Sequence, residues 1–140
     1  MMLSSDQVDA IFGDVIYSYS RAAAIDDGVL IDVSEVAKEA GFRVPVAVTE
    51  AVWEDCIQWS NSDTEERKIP QDEAGRLWDV LWMARYGMNG HEEGNSVLYS
   101  LHRVSRSGTC RKAQPVRLKA VIGPGDHGEP VLTIMLPTED

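Results

Sequence analysis

The spacing of hydrophobic residues predicts helices in the first two thirds of the chain. The strongest pattern lies in AGRLWDVLWMARYGM, residues 74–88, where apolar side chains recur at intervals of three and four. Shorter helices are predicted after residues whose side chains readily cap a helix: Ser20, Ser34 and Thr49. Another short helix is predicted in SSDQVDAIFGDVI near the start. We expect the tryptophans of these helices in the core, because large aromatic rings are usually buried.

Strand-like patterns dominate the last third of the chain. VLYSLHRV, PVRLKAVI and VLTIMLP are separated by turn-forming residues, which predicts an antiparallel meander of three strands. VLIDV at 29–33 is a short β-branched segment and predicts one earlier strand. The polar stretch NSDTEERKIPQDE is predicted as a loop. The expected fold class is α+β, with N-terminal helices and a short strand packed on a C-terminal antiparallel three-stranded meander, in a single domain over residues 1–140.

Charge is divided unevenly between the two halves of the chain. Residues 1–66 carry 14 acidic and 3 basic side chains, a net charge of -11, whereas residues 67–140 carry a net charge of +1. An acidic surface repels phosphates, so direct binding of nucleic acid is disfavoured, but it can bind a protein that itself binds nucleic acid. The carboxylates predicted to form such a partner-binding face are Asp26, Asp27, Glu35, Glu39, Glu50, Glu54 and Asp55.

A basic segment, RVSRSGTCRKAQPVRLK, stands out in this acidic chain. It contains no acidic residue and six basic ones: Arg103, Arg106, Arg111, Lys112, Arg117 and Lys119. Its place between two predicted strands indicates a hairpin, with the loop at residues 107–109. Three interpretations stay open. The charges protect a solvated edge, they dock on the acidic helices of the same chain, or they form a strip that binds phosphates.

YSYSRAAAIDDG, residues 17–28, is the most distinctive short motif. An arginine near tyrosines and aspartates can form a pocket for a nucleotide or a small phosphate ligand, which would use Tyr17, Tyr19, Arg21 and Asp26 or Asp27. The structural alternative is an ion pair between Arg21 and one of the aspartates that fixes the end of a helix.

No motif in the sequence specifies an enzymatic activity. The three histidines, His91, His102 and His127, lack the spacing of a metal site, and the glycine-rich GPGDHGEP lacks the lysine of a phosphate-binding loop. We therefore expect no metal, no cofactor and no catalytic residue. Cys56 falls on an apolar helical face and is predicted to be a packed core thiol. The sequence also lacks a membrane span and a secretion signal, so we expect a cytoplasmic protein.

The sequence resembles a family of small uncharacterised bacterial proteins. The resemblance extends from about residue 13 to residue 140 and rests on YSYSRAAAIDDGVLIDVSEVAKEAGFRVPVAVTEAVW, DEAGRLWDVLWMA and VIGPGDHGEPVLTIMLPTED. It implies an origin in plasmids, phages and other mobile elements, where small acidic proteins often oppose host defence. It implies no functional residue.

Three hypotheses about function follow from the charge layout, the motifs and this resemblance. The first is an acidic protein that binds and inhibits a host nucleic-acid-handling defence complex of the restriction or CRISPR type, with carboxylates in the place of phosphates. The second is an enzyme or binding protein for a nucleotide or small phosphate ligand around Arg21. The third is a DNA-binding accessory protein that uses the basic segment. The sequence leaves the oligomeric state open.

Overall fold

Five α-helices and five strands are present in the computed structural model, which describes residues 19–89, 94–108 and 110–139. The helices are α1 (Arg21–Asp26), α2 (Ser34–Glu39), α3 (Glu50–Val52), α4 (Asn61–Arg67) and α5 (Glu73–Met88). The strands are β1 (Leu30–Asp32), β2 (Val46–Thr49), β3 (Ser96–Arg103), β4 (Gln114–Pro124) and β5 (Pro130–Met135). Helix α3 continues directly as a π-helical turn, Trp53–Ile57. The helix predicted in SSDQVDAIFGDVI lies outside the described residues.

The five strands form one mixed sheet in the order β1-β2-β5-β4-β3. Strands β2 and β5 run parallel, with Val46 opposite Leu132, and the other neighbouring pairs run antiparallel. The α+β class is therefore confirmed. The predicted three-stranded meander is incomplete, because β3, β4 and β5 pair as antiparallel neighbours inside a larger sheet that also contains β1 and β2.

β2 is the strand that the sequence patterns did not reveal. Its residues Val46, Ala47 and Val48 are all fully buried. A strand buried on both faces has no polar alternation to mark it, which is typical of a central parallel strand. Pro45 directly precedes the strand, and a proline favours extended backbone at the residue before it. The Ser34 hydroxyl also binds β2, because it accepts a 3.0 Å hydrogen bond from the Val46 N–H.

The main core lies on one face of the sheet. Helix α5 packs there through its buried row Leu77, Val80, Leu81 and Ala84. The same core cluster includes Leu118 of β4 and Ile134 of β5, which are fully buried. Side chains alternate between the two faces of a strand, so Thr133 and Met135 lie on the opposite face. That second face is where α1 contacts the sheet.

Two of the three predicted helix caps are confirmed. The Ser20 hydroxyl accepts from the Ala23 N–H at 3.0 Å, and the Thr49 hydroxyl accepts from the Val52 N–H at 3.2 Å. Ser34 is instead the first residue of α2 and donates a 2.6 Å hydrogen bond to the Asp32 carboxylate.

The predicted polar loop at residues 61–73 contains helix α4. Ser60 and Asp63 form a capping box, in which each side chain accepts a hydrogen bond from the other residue's backbone N–H. The box satisfies two of the N–H groups that a helix leaves unpaired at its start. This helix has no apolar stripe, so hydrophobic periodicity could not reveal it.

The expectation that the tryptophans are buried is wrong for two of them. Trp59 is buried, whereas Trp78 and Trp82 are 38% and 48% exposed. Their rings stack on the outer side of α5, with centroids 6.1 Å apart and planes 13° apart. The Leu77 row faces the sheet, and successive residues of a helix are turned by about 100°, so the neighbouring tryptophan row faces solvent.

Arg76 of α5 is buried and joins three segments. Its Nε donates to the Ile57 carbonyl at 3.0 Å, and its Nη1 donates to the Val104 carbonyl at 2.8 Å. The guanidinium carbon lies 4.8 Å from the ring centre of Trp59. Burial lowers the pKa of Arg76. These contacts fix the π-helical turn and the segment after β3 against α5.

None of the described helices is long and apolar enough to cross a membrane.

Candidate functional site

A groove of about 780 Å³ lies on the second face of the sheet. Its walls come from α1, the start of α3, the β4–β5 turn and the segment after β5. We call it the acidic groove and define it by its charged lining residues: Arg21, Glu50, Glu54, Asp126 and Glu139. It therefore holds four carboxylates and one guanidinium.

Asp126 in the β4–β5 turn fixes the start of α1. Its carboxylate accepts from the backbone N–H groups of Arg21 at 2.7 Å and Ala22 at 3.0 Å. These two bonds satisfy donors that the first turn of a helix leaves unpaired. They also hold the pKa of Asp126 below its usual range, with a smaller contribution from the charges of His127 and Arg21. Asp126 is therefore ionised at neutral pH. Its two hydrogen bonds fix the β4–β5 turn to α1, which are two walls of the groove.

The Arg21 side chain is bound by the sheet. Its Nη1 donates to the Thr133 hydroxyl at 2.7 Å, and its Nη2 donates to the Leu132 carbonyl at 2.8 Å. Burial lowers the pKa of Arg21, while the charges of nearby carboxylates oppose that shift. An arginine stays protonated under such conditions. The predicted ion pair between Arg21 and Asp26 or Asp27 is absent from the described residues, because the guanidinium reaches the sheet and not the end of its own helix.

The other members of the YSYSRAAAIDDG motif separate. The Tyr19 hydroxyl donates to the Asp27 carboxylate, and Tyr19 also lines the groove. Hydrogen bonding to Asp27 is the main cause that raises the pKa of Tyr19. Asp26 is exposed and does not line the groove. Tyr17 lies outside the described residues.

Glu50 and Glu54 supply the accessible negative charge of the groove. Both side chains are exposed and lie four residues apart, about one helical turn, at the start of α3 and its π-helical extension. Glu139 is held more firmly, because its Oε2 accepts from the Thr49 hydroxyl at 2.8 Å and the Leu136 N–H at 2.7 Å. Two carboxylates are therefore free to meet a ligand, and two shape the walls.

The structure disperses the remaining carboxylates of the predicted acidic face. Asp26 and Asp27 lie at the end of α1, and Glu35 and Glu39 are exposed on α2. Asp55 forms an ion pair with Arg103 at 2.8 Å. Of the seven predicted residues, only Glu50 and Glu54 enter the acidic groove.

Much of the basic segment contacts the protein itself. Arg103 pairs with Asp55, and Arg106 pairs with Asp63 at 3.0 Å. Arg111 donates to the carbonyls of Arg67 and Lys68 at the end of α4. These contacts are those of the docking interpretation, in which the basic charges face the acidic helices.

The other basic residues of this segment divide between contact and exposure. Lys119 donates to the Glu139 carbonyl at 2.7 Å. Lys112 and Arg117 are exposed.

The loop residue Gly108 has a φ of 85°, a left-handed conformation that glycine adopts without strain. Thr109 lies outside the described residues.

Other reactive side chains do not assemble into a catalytic or metal centre in the parts of the chain that are described. His102 and His127 are exposed, and no group of three or more histidine, cysteine, aspartate or glutamate side chains is placed to hold a metal ion there. Cys56 is 1% exposed, and burial raises the pKa of its thiol to about 11. His91 lies outside the described residues.

Asp126, Thr133 and Glu139 are site residues that sequence reasoning missed. The glycine-rich GPGDHGEP predicts only a turn between strands, and Asp126 within it is separated from Arg21 by 105 positions. No local pattern reports a contact over that distance. The available signal was an acidic residue in a tight turn, which can accept hydrogen bonds from a nearby helix start.

Comparison with known proteins places the chain in a family without establishing its activity. The family of unknown function DUF6573 matches residues 9–140, so the chain belongs to that family. No curated protein and no solved structure matches the chain at a significant level.

Proposed function

We propose that this member of the family is a non-enzymatic interaction protein whose acidic groove binds a positively charged segment of a protein partner. One observation carries the proposal: Glu50 and Glu54 line a groove of about 780 Å³ in which the one cation among the described lining residues, Arg21, is already hydrogen-bonded to the sheet. Arginine and lysine side chains of a partner are the groups that such carboxylates bind best.

The overall charge supports a partner that normally binds nucleic acid. The chain has a net charge of -10, and its first 66 residues have a net charge of -11. Carboxylates on a folded surface can occupy an arginine- and lysine-lined channel in the place of phosphates. Together with the resemblance to mobile-element proteins, this charge favours inhibition of a host defence complex of the restriction or CRISPR type.

The charge of the groove favours a cationic ligand over a phosphate around Arg21. A phosphate beside Arg21 would also lie near Asp126, Glu50 and Glu54, and like charges at short range repel. A basic protein segment meets attraction from each of these groups. We therefore prefer a protein partner to a nucleotide at this site.

The test is a pull-down with tagged protein from bacterial lysate at low and high salt, read by mass spectrometry. The variant is Glu50→Lys combined with Glu54→Lys. The matched control is Glu65→Lys combined with Glu66→Lys, which makes the same charge change at exposed positions of α4. We expect the wild type and the control to retain a partner that the groove variant loses, and high salt to weaken retention.

Competition with duplex DNA then tests the inhibitory mechanism. The captured partner is incubated with labelled DNA, and wild-type protein should displace the DNA whereas the groove variant should not. Equal retention of the partner by the wild type and the groove variant would refute the role of the groove. In another outcome, the partner is retained through the groove and still binds DNA in the presence of the wild-type protein. That result would refute the proposal that the carboxylates occupy the partner's phosphate-binding channel.

A further inference from the structure

A second cavity, of about 710 Å³, has the opposite charge. It lies between α2, the segment that joins α2 to β2, and α5, and we call it the cationic cavity. Among the described residues, its lining includes three basic side chains, Lys38, Arg43 and Arg85, and no acidic one. Residues 1–66 contain only three basic side chains, and two of them line this cavity. Such a concentration of positive charge is unexpected in the most acidic part of the chain.

Arg85 is held in place at this cavity by two features of the backbone. Its Nη1 donates to the Ala40 carbonyl at 3.2 Å, at the end of α2. Gly41 lies directly against the guanidinium, and a Cβ at this position would lie 2.5 Å from Nη1. Gly41 also has a φ of 102°, a backbone conformation that a residue with a side chain adopts only with strain. Glycine at this position therefore allows the arginine to lie close to the chain.

Lys38 and Arg43 remain available for a ligand. Both are exposed. The ion pairs of the described residues involve Arg103 and Arg106, so neither Lys38, Arg43 nor Arg85 forms one in that part of the chain. A basic side chain without an ion-pair partner holds no carboxylate that an incoming anion would have to displace.

We propose that the cationic cavity binds a phosphate-bearing small molecule. Its phosphate lies among Lys38, Arg43 and Arg85, since the planar guanidinium pairs with phosphate oxygens and the lysine adds a compact charge. Phe42, Val44 and Pro45 line the same cavity and contact the organic part. The cavity has the size of ordinary small-molecule sites. This site is separate from the acidic groove, and its failure leaves the proposed function untouched.

Calorimetric titration of the full chain with pyrophosphate and with ADP tests the proposal. Adenosine, which lacks phosphate, is the ligand control, and sodium chloride at matched ionic strength is the salt control. We expect saturable binding of pyrophosphate or ADP and none of adenosine. Tighter binding of ADP than of pyrophosphate would assign a role to the apolar lining residues.

Variants locate the binding site. Lys38→Gln and Arg43→Gln are substitutions at exposed positions, so the fold should persist, and each should weaken binding by about tenfold or more. Arg117→Gln on the exposed part of β4 makes the same charge change and should leave binding unaltered. Absence of saturable binding up to about 10 mM ligand would overturn the proposal. Equal weakening by Arg117→Gln would overturn it as well, because only the overall charge would then matter.

Discussion

Arg103 and Asp55 join the end of β3 to the π-helical turn. Both Nε and Nη2 of Arg103 donate to the same carboxylate oxygen, Oδ1 of Asp55, at 3.1 and 2.8 Å. The Arg103 side chain is 18% exposed and that of Asp55 is 36% exposed. The pair therefore combines a residue of the basic segment with a residue of the predicted acidic face, and neither is free for a partner.

A double-mutant cycle measures this coupling. Arg103→Gln and Asp55→Asn should each destabilise the fold, and the double variant should lose about 1 kcal/mol less than the sum, since the pair is partly exposed. Urea unfolding of the four proteins gives the coupling, and added salt should reduce it. Strict additivity would show that the pair contributes nothing to stability.

The capping box of α4 predicts a loss of stability in acid. The Ser60 backbone N–H and then the Arg106 guanidinium hold the pKa of Asp63 below its usual range, although burial opposes the shift. The unfolded-state pKa is about 4, so the ionised carboxylate stabilises the fold above that pH. The contribution is lost as the pH falls through the lower, folded-state pKa.

Urea unfolding of the wild type and Asp63→Asn at several pH values tests this prediction. Their difference in the free energy of unfolding should be largest at neutral pH and should shrink towards about pH 2. Glu65→Gln, at an exposed position of the same helix, serves as the control. A difference that does not change with pH would mean that the carboxylate charge is irrelevant to the cap.

Substitution of Gly41 should be more destabilising than substitution of Gly28. Both have positive φ, 102° and 79°, but a Cβ at Gly28 meets no atom within 4 Å, whereas a Cβ at Gly41 overlaps Arg85. Gly28→Ala should therefore show the backbone cost alone, about 1 to 2 kcal/mol. Gly41→Ala should exceed it by the cost of moving the Arg85 guanidinium away from the Ala40 carbonyl, to which it donates a 3.2 Å hydrogen bond. In an Arg85→Ala background the excess should disappear, and its persistence would contradict the overlap as the cause.

The two cysteines should differ sharply in reactivity. Cys56 is buried and its pKa is raised to about 11, whereas Cys110 is exposed. The thiolate is the reactive form, so a disulfide reagent at about pH 8 should modify one thiol per native chain and two after denaturation. Cys110→Ser should abolish the native reaction. Rapid modification of that variant would show that the core around Cys56 opens readily.

Local signals explain what could be predicted from the sequence. The caps at Ser20 and Thr49, helix α5 and strand β4 each depend on residues within a few positions of one another, where capping chemistry and periodicity are informative. Helix α4 was missed because its signal is a capping box in an otherwise polar segment. The exposed position of Trp78 and Trp82 was missed because two adjacent apolar rows on α5 compete, and only tertiary packing selects the row that faces the sheet.

The candidate site could be predicted only in part. The sequence does predict Glu50 and Glu54 as part of an acidic face, since Glu50 follows the cap Thr49 and Glu54 lies off the apolar stripe of the same helix. Their assembly with Asp126 and Glu139 depends on the parallel pairing of β2 with β5, and no spacing in the sequence encodes that pairing. The convergence of Lys38 and Arg43 with Arg85 depends instead on the packing of α2 against α5, which the sequence does not encode locally either.

The parallel pairing of β2 with β5 has a consequence for biosynthesis. β5 lies between β2 and β4 in the sheet, yet the ribosome makes it after every other described strand. Without β5, the strand order leaves β1 with β2 and β3 with β4 as two unconnected pairs, and each pair has an unpaired edge where β5 belongs. We expect the nascent chain to join them in one late step, when residues 130–135 leave the exit tunnel and insert between pairs that are already made.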